Sequence, residues 1–363
     1  MREQRGRTVE VESLEEFDER VHAGARAMTG WHVQAVDLRE RGTDLRSLEP
    51  AGALFLGCTL LPADEESLRA RGALVFPAVP DVPFDAYRAS LYSPQELYDG
   101  LATSYEHTFD AAVYAWSQQE STLDVSLAQA LHDHAVDAAL RGMVRDHALV
   151  GVMGGHALLR GGDEYRRAAH LARTLASAGL TVATGGGPGA MEAANLGAYL
   201  SPHPAEELDE AIALLAGVPA FSPTVDAWAR AAFTVLDRWP DGARSLGVPT
   251  WHYGHEPPNA FATDVAKYFK NAIREDILLH LCSAGIVFLP GAAGTVQEVF
   301  QDACENYYAD PSAVAPMVLV DREHWTRTLP VWPLLESLAK DRSMEGFVHL
   351  VDDVDDVAAL LCR

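Results

Sequence analysis

Two glycine-rich stretches, each followed by a carboxylate, carry the chemistry in this sequence. The first is Gly185-Gly-Gly-Pro-Gly-Ala-Met-Glu-Ala-Ala-Asn195, and the second is Pro290-Gly-Ala-Ala-Gly-Thr-Val-Gln-Glu298. Each follows a short apolar run, 180–184 and 285–289, and each opens a segment with helical character. A strand, a glycine turn and a helix start together make an anion site. The first helical turn leaves backbone N–H groups unpaired, and a phosphate accepts from them. Gly291 and Gly294 in one stretch, and Gly185, Gly186, Gly187 and Gly189 in the other, let the backbone come close to a ligand. Glu298 stands about one turn into its helix, where it could face a sugar attached to that phosphate. Its alternative role is to favour the positive helix end. Glu192 has the same two readings.

The elements that position these residues alternate. In the first third, 32–37, 53–58 and 73–77 read as strands. Helices are expected over 14–27 and from Pro62, whose first turn is acidic. Apolar residues Leu127, Leu131, Ala135 and Ala138 recur at helical spacing, which predicts a connecting helix over 121–145. A further apolar run, 147–153, enters Gly154 and Gly155, with Arg166 and Arg167 soon after. Strands are also expected at 248–253, 317–320 and 347–351, and a helix over 265–281. Strand and helix in alternation predict an α/β fold with a parallel sheet. The expected division is an N-terminal α/β unit over 1–120, the connecting helix, and a larger α/β unit over 146–363. Tyr87, Tyr92 and Tyr98 are expected to pack against a neighbouring unit or cover a pocket.

Composition excludes several classes. A net charge of -24 argues against nucleic acid as a partner and makes individual arginines and helix starts the places to hold a small anion. The four cysteines, Cys58, Cys282, Cys304 and Cys362, form no C-x-x-C and imply neither a zinc site nor a disulfide framework. The aspartates around Val354 read as a helix start rather than a metal site, and no metal is expected. The opening residues do not read as a signal peptide, and no apolar stretch is long enough for a membrane span, so the expected location is the cytoplasm. The G-x-G-x-x-G fingerprint of dinucleotide-binding folds is missing, which argues against a nicotinamide oxidoreductase.

Taken together, the two stretches resemble the motifs of the LOG family, GGG-x-x-G-x-M and PGG-x-GT-x-x-E. Its members were once labelled lysine decarboxylases, an activity for which this sequence offers no cofactor-linked lysine motif. The family includes cytokinin-activating enzymes and bacterial nucleotide 5'-monophosphate nucleosidases. The resemblance covers about residues 145–322, and Trp251-His-Tyr-Gly-His-Glu-Pro-Pro-Asn259 with 269–275 is similar to the larger bacterial relatives. It implies a Rossmann-like parallel sheet flanked by helices, a homodimer, and hydrolysis of a nucleoside 5'-monophosphate to free base and ribose 5-phosphate without a cofactor. It implies Glu298 and Arg274 as catalytic residues. Phosphate would rest on Gly291, Ala293, Gly294 and Thr295. Sugar and base would lie against Gly154, Gly155, the 185–189 turn, Met191, Glu192, His255 and Asn259. The sequence departs from the pattern twice. Ala292 replaces a glycine, and direct counting places Glu275, not Arg274, at the family arginine. A nucleotide-binding or nucleotide-sensing protein without turnover is the alternative.

Overall fold

A computed structural model describes residues 9–77, 79–145, 147–252 and 256–362. The chain divides into two compact units, 1–90 with 119–139, and 91–118 with 140–363.

The smaller unit is a four-stranded parallel sheet of β1 (Val9–Val11), β2 (Trp31–Gln34), β3 (Leu54–Leu56) and β4 (Leu74–Phe76), in that spatial order. Val11, Val33, Phe55 and Val75 stand in register as one apolar row across it. Helices Leu14–His22, Gly42–Ser47 and Pro62–Ala70 bring Phe17, Leu45 and Leu68 to that same core. Strand β1 escapes a sequence reading because it holds only three residues beside a charged start. The first helix stops at His22, short of the expected 27, because Gly24 turns left-handed at φ 86°.

The larger unit is a Rossmann-like sheet flanked by helices. Its seven strands are β5 (Leu149–Met153), β6 (Thr181–Thr184), β7 (Leu246–Gly247), β8 (Asp264–Val265), β9 (Ile286–Phe288), β10 (Met317–Val320) and β11 (Val348–Val351). All pairings are parallel, in the order β11-β10-β9-β5-β6-β7-β8. Every residue of β5, β6, β9 and β10 is buried, which is why β5, β9 and β10 read as unbroken apolar runs, while β6 buries Thr181 and Thr184 beside Val182 and Ala183. The chain builds from β5 through β8 in one direction, then returns to lay β9 on the other side of β5. That reversal opens a crevice beyond the C-terminal ends of β5 and β9, where open α/β sheets bind ligands.

Three expectations need correction. The strand expected at 248–253 is displaced: β7 ends at Gly247, since Pro249 has no N–H to extend the ladder, Thr250 keeps an isolated parallel bridge with Tyr268, and Tyr253 lies outside the described residues. The helix expected over 265–281 begins at Asn271, since Val265 and Tyr268 are committed to backbone pairing with Tyr92 and Pro249. Residues 91–118, expected in the N-terminal unit, belong to the larger one. Tyr92 pairs with Val265 and packs edge-on to Trp251 with ring centres 5.9 Å apart. Tyr98 packs on Phe233 and donates to the Pro258 carbonyl at 2.6 Å. Trp116 meets Phe269. These rings fix the segment; Tyr87 lies in the smaller unit and donates to Pro77 O at 3.0 Å. The helix Leu123–Val144 forms as the spacing predicts, its residues up to Ala139 grouping with the smaller unit. No helix among the described residues is long and apolar enough to cross a membrane.

Segment 91–118 is also held by a buried charge. Asp110 accepts from Lys267 Nζ at 2.6 Å, from Trp251 Nε1 at 2.8 Å and from Tyr105 OH at 2.9 Å. Lys267 is 1% exposed, and burial pulls its ammonium below the usual lysine range against the pull of Asp110. Removing one partner of such a pair leaves the other charge unmatched, at a cost of about 3–5 kcal/mol. Asp110→Ala is therefore expected to lower the denaturation midpoint markedly. The double variant Asp110→Ala with Lys267→Met should recover part of that loss. Equal midpoints for wild type and Asp110→Ala would contradict the assignment.

Candidate functional site

Three turns meet beyond the strand ends: 154–155 after β5, 185–189 after β6 and 290–294 after β9. Backbone contacts join them. The Gly155 N–H donates to Pro290 O at 3.1 Å, and the Ala190 N–H donates to Gly155 O at 3.1 Å. Such approach excludes side chains. A Cβ on Gly154 would stand 2.9 Å from the Ala190 Cβ and 3.0 Å from the Leu289 Cβ. Gly189 has φ +72°, and a Cβ there would stand 2.5 Å from Gly155 O. Both positions demand glycine for steric reasons.

The 185–189 turn is braced from below. Asn259 donates its side-chain amide to Gly187 O at 3.1 Å and to Asn195 Oδ1 at 3.0 Å, and its backbone N–H donates to Gly186 O at 2.8 Å. Its own Oδ1 accepts from the N–H groups of Phe261 and Ala262. Asn259 is 1% exposed with both side-chain polar atoms occupied, so it shapes the turn instead of reaching a ligand. Glu192 likewise turns away from a sugar role. It is fully buried, paired through both oxygens with Arg160, whose guanidinium lies 4.4 Å over the Trp228 ring. The Met191 sulfur does flank the turn: a Cβ on Gly185 would stand 2.8 Å from it and 3.4 Å from Arg274 Nη1.

That last distance places Arg274 beside the first glycine turn, and the same nitrogen lies 3.7 Å from Glu298 Oε1. Glu298 stands on the helix Ala293–Tyr308 and Arg274 on the helix Asn271–Leu281. Arg274 faces Glu298 directly, despite the counting that favoured position 275. Glu275 instead flanks the arginine, its Oε1 3.1 Å from Nη2, while Asn271 Oδ1 accepts from Nη2 at 3.0 Å. All three residues are at most 9% exposed. Among the described residues, Arg274 Nε and Glu275 Oε2 are buried without a hydrogen-bond partner, an uncommon and costly state. Burial, with the charge of Glu275 adding to it and Arg274 opposing, lifts the Glu298 carboxyl to about 8. Burial also raises Glu275, against Arg274 and Asn271. Two acids share one guanidinium, so one tends to keep its proton.

Ala292 proves compatible with its position. It precedes the helix at φ -119°, outside the left-handed range in which a glycine would be required. Among the described residues no side chain caps this helix; Ala293 and Gly294 are exposed, while Thr295 is buried with its hydroxyl against Gly291. His255 lies outside the described residues. Its neighbour Glu256 approaches His156 at 3.3 Å, and its other oxygen lies 3.7 Å from where a Gly187 Cβ would be. His156, Glu256, Asn271 and Arg160 were not among the residues singled out from sequence. Only Glu256 gave a signal, as a carboxylate in a polar loop after a strand. Of the early-helix arginines, Arg166 pairs with Asp209, whereas Arg167 borders a crevice with Leu289, Pro290 and Asp321. Among the described residues, no three His, Cys, Asp or Glu side chains converge to hold a metal.

No family model matches this chain, and no curated protein matches it. Among solved structures, it is similar to the molybdenum cofactor binding protein from the phototrophic bacterium Rippkaea orientalis. The two are 17% identical over 59% of this chain and 94% of that one, with a TM-score of 0.37. It is similar also to the Moco carrier protein from Chlamydomonas reinhardtii, at 20% identity over 59% of this chain and 95% of that one, with a TM-score of 0.34.

The raised Glu298 carboxyl has a consequence for stability. A carboxyl whose folded value exceeds its unfolded value of 4.5 favours the folded state fully below 4.5 and loses that contribution as pH rises through about 8. Glu298→Gln has no proton to lose. Its stability relative to wild type should therefore climb between pH 5 and 8, by on the order of a few kcal/mol. Denaturant melts of both proteins across that range check this, and parallel curves would refute the raised value.

Proposed function

We propose that this crevice hydrolyses the N-glycosidic bond of nucleoside 5'-monophosphates, releasing the free base and ribose 5-phosphate. The observation that carries the proposal is the buried Arg274–Glu298 pair, set between a glycine turn and an uncapped helix start. The 5'-phosphate accepts from the N–H groups at the start of the helix Ala293–Tyr308, with Gly291, Gly294 and Thr295 shaping the approach. The ribose then lies toward Glu298 and the base toward Met191 and the 185–189 turn.

Departure of the base leaves positive charge on the ribose ring. Glu298, once ionised, stabilises that charge and takes the proton of an attacking water. The water oxygen bonds to C1', the C1'–N bond breaks, and its electron pair leaves with the base, which takes up the proton that Glu298 gained from the water, returned through solvent, so that base and carboxylate are both restored. Arg274 steers the carboxylate and holds sugar hydroxyls, a task suited to its fixed fan of donors. Because Glu275 already binds one guanidinium nitrogen at 3.1 Å, Arg274 is held in place before substrate arrives. A carboxylate that titrates near 8 is a stronger base toward water than an ordinary glutamate.

The same carboxyl supports a second reading. Below pH 8 Glu298 largely keeps its proton and can donate a hydrogen bond to a sugar hydroxyl, as a binding protein without turnover would use it.

Chromatography of free base and ribose 5-phosphate from AMP, GMP, CMP and UMP separates the two. Hydrolysis should rise with pH toward about 8 and then level, since ionised Glu298 is the active form. Glu298→Gln should lose roughly 10²–10⁴-fold in kcat while still binding nucleotide. Tight binding with no base release from wild type would favour the second reading. Full activity in a folded Glu298→Gln protein would remove Glu298 from the chemistry.

A further inference from the structure

We infer that His324 is a positioning residue for the phosphate-binding turn, fixing the direction of its backbone donors. The inference rests on reading the crevice as a nucleotide site. It starts from the segment after β10, which neither the motifs nor the proposed chemistry uses.

Asp321 follows β10 in a left-handed conformation, φ +79°. Its N–H donates to Val351 O at 3.0 Å, its carbonyl accepts from the Trp325 N–H at 3.1 Å, and its Oδ1 accepts from the His324 N–H at 3.0 Å. The chain is thus turned sharply and enters one π-helical turn, His324–Thr328. Such turns are rare and often sit at functional sites. Trp325 is fully buried and anchors the turn. The His324 ring stands edge-on to it, with centres 4.7 Å apart at 87°.

Held this way, His324 Nε2 lies 3.1 Å from the carbonyl oxygen of Gly291. A carbonyl only accepts, so Nε2 carries the proton. In a trans peptide the C=O and the following N–H point in opposite directions. Tethering the Gly291 oxygen therefore fixes where the Ala292 N–H points. Ala292 is the residue that leads into the uncapped helix Ala293–Tyr308. A glycine turn would otherwise sample many backbone directions and lose that freedom on binding phosphate. His324 removes that cost by ordering the turn in advance. Its effect should fall on affinity for the phosphate, and much less on the chemical step.

Isothermal titration of inorganic phosphate, ribose 5-phosphate and ribose against wild type, His324→Leu and His324→Gln tests this. The glutamine amide can donate where the imidazole does; leucine cannot. Loss of one such ordering contact should weaken ribose 5-phosphate binding roughly tenfold in His324→Leu, leave ribose unchanged, and spare most affinity in His324→Gln. With a nucleotide substrate, KM should rise in His324→Leu while kcat changes little. If leucine prevents folding, His324→Ala carries the same comparison. Ribose 5-phosphate affinity equal in wild type and His324→Leu overturns the inference and leaves proposed hydrolysis intact. Equal weakening in His324→Leu and His324→Gln also overturns it, since packing rather than donation would then be at work. Wild type that binds ribose 5-phosphate in the predicted pattern yet hydrolyses no nucleotide upholds the inference and removes the proposed hydrolysis. Wild type that binds no phosphate overturns both.

Discussion

Everything in the larger unit depends on how closely three turns can approach. The Gly155 backbone donates to Pro290 O and accepts from the Ala190 N–H, so the ends of β5, β6 and β9 are tied at one point. That tie requires positions without side chains, at Gly154 and Gly189 above all. Once it exists, the remaining geometry follows. The helix after the third turn brings Glu298 inward, and the helix before β9 brings Arg274 against it. The crevice also falls at the reversal of strand order, so backbone topology and side-chain chemistry point to the same place.

The electrostatics of the site are a balance of opposed costs. Burying two carboxyls beside one guanidinium cannot leave both acids comfortably ionised. Glu275 takes the nearer place on Arg274, and Glu298 is left at 3.7 Å with its carboxyl lifted to about 8. That arrangement strains the folded state as pH rises, yet it gives a carboxyl that titrates in the range a general base needs. A protein of net charge -24 can hold an anion only where local donors outweigh its overall field. In the proposed function, an uncapped helix start and an ordered turn meet that need.

Much of this was legible in the sequence, for physical reasons that differ between elements. Buried parallel strands read as apolar runs, so β5, β9 and β10 were plain. Glycine turns followed by helices marked the site, since strand ends and backbone donors are local features. Long-range pairing was not local and was missed. Nothing in the spacing of Glu192 shows that Arg160 neutralises it, or that Asn259 spends all its side-chain polar atoms on the turn. The reach of residues 91–118 into the larger unit depends on Asp110 meeting Lys267, far away in sequence. Counting residues along a helix could not show that Arg274 faces Glu298 while Glu275 flanks the arginine.

The most direct test of the account is a crystal structure of Glu298→Gln with a nucleoside 5'-monophosphate bound. The account predicts the phosphate on the backbone N–H groups of residues 292–295, with C1' facing position 298 and Arg274 near the sugar. A phosphate seated elsewhere, with position 298 remote from the ribose, would contradict it.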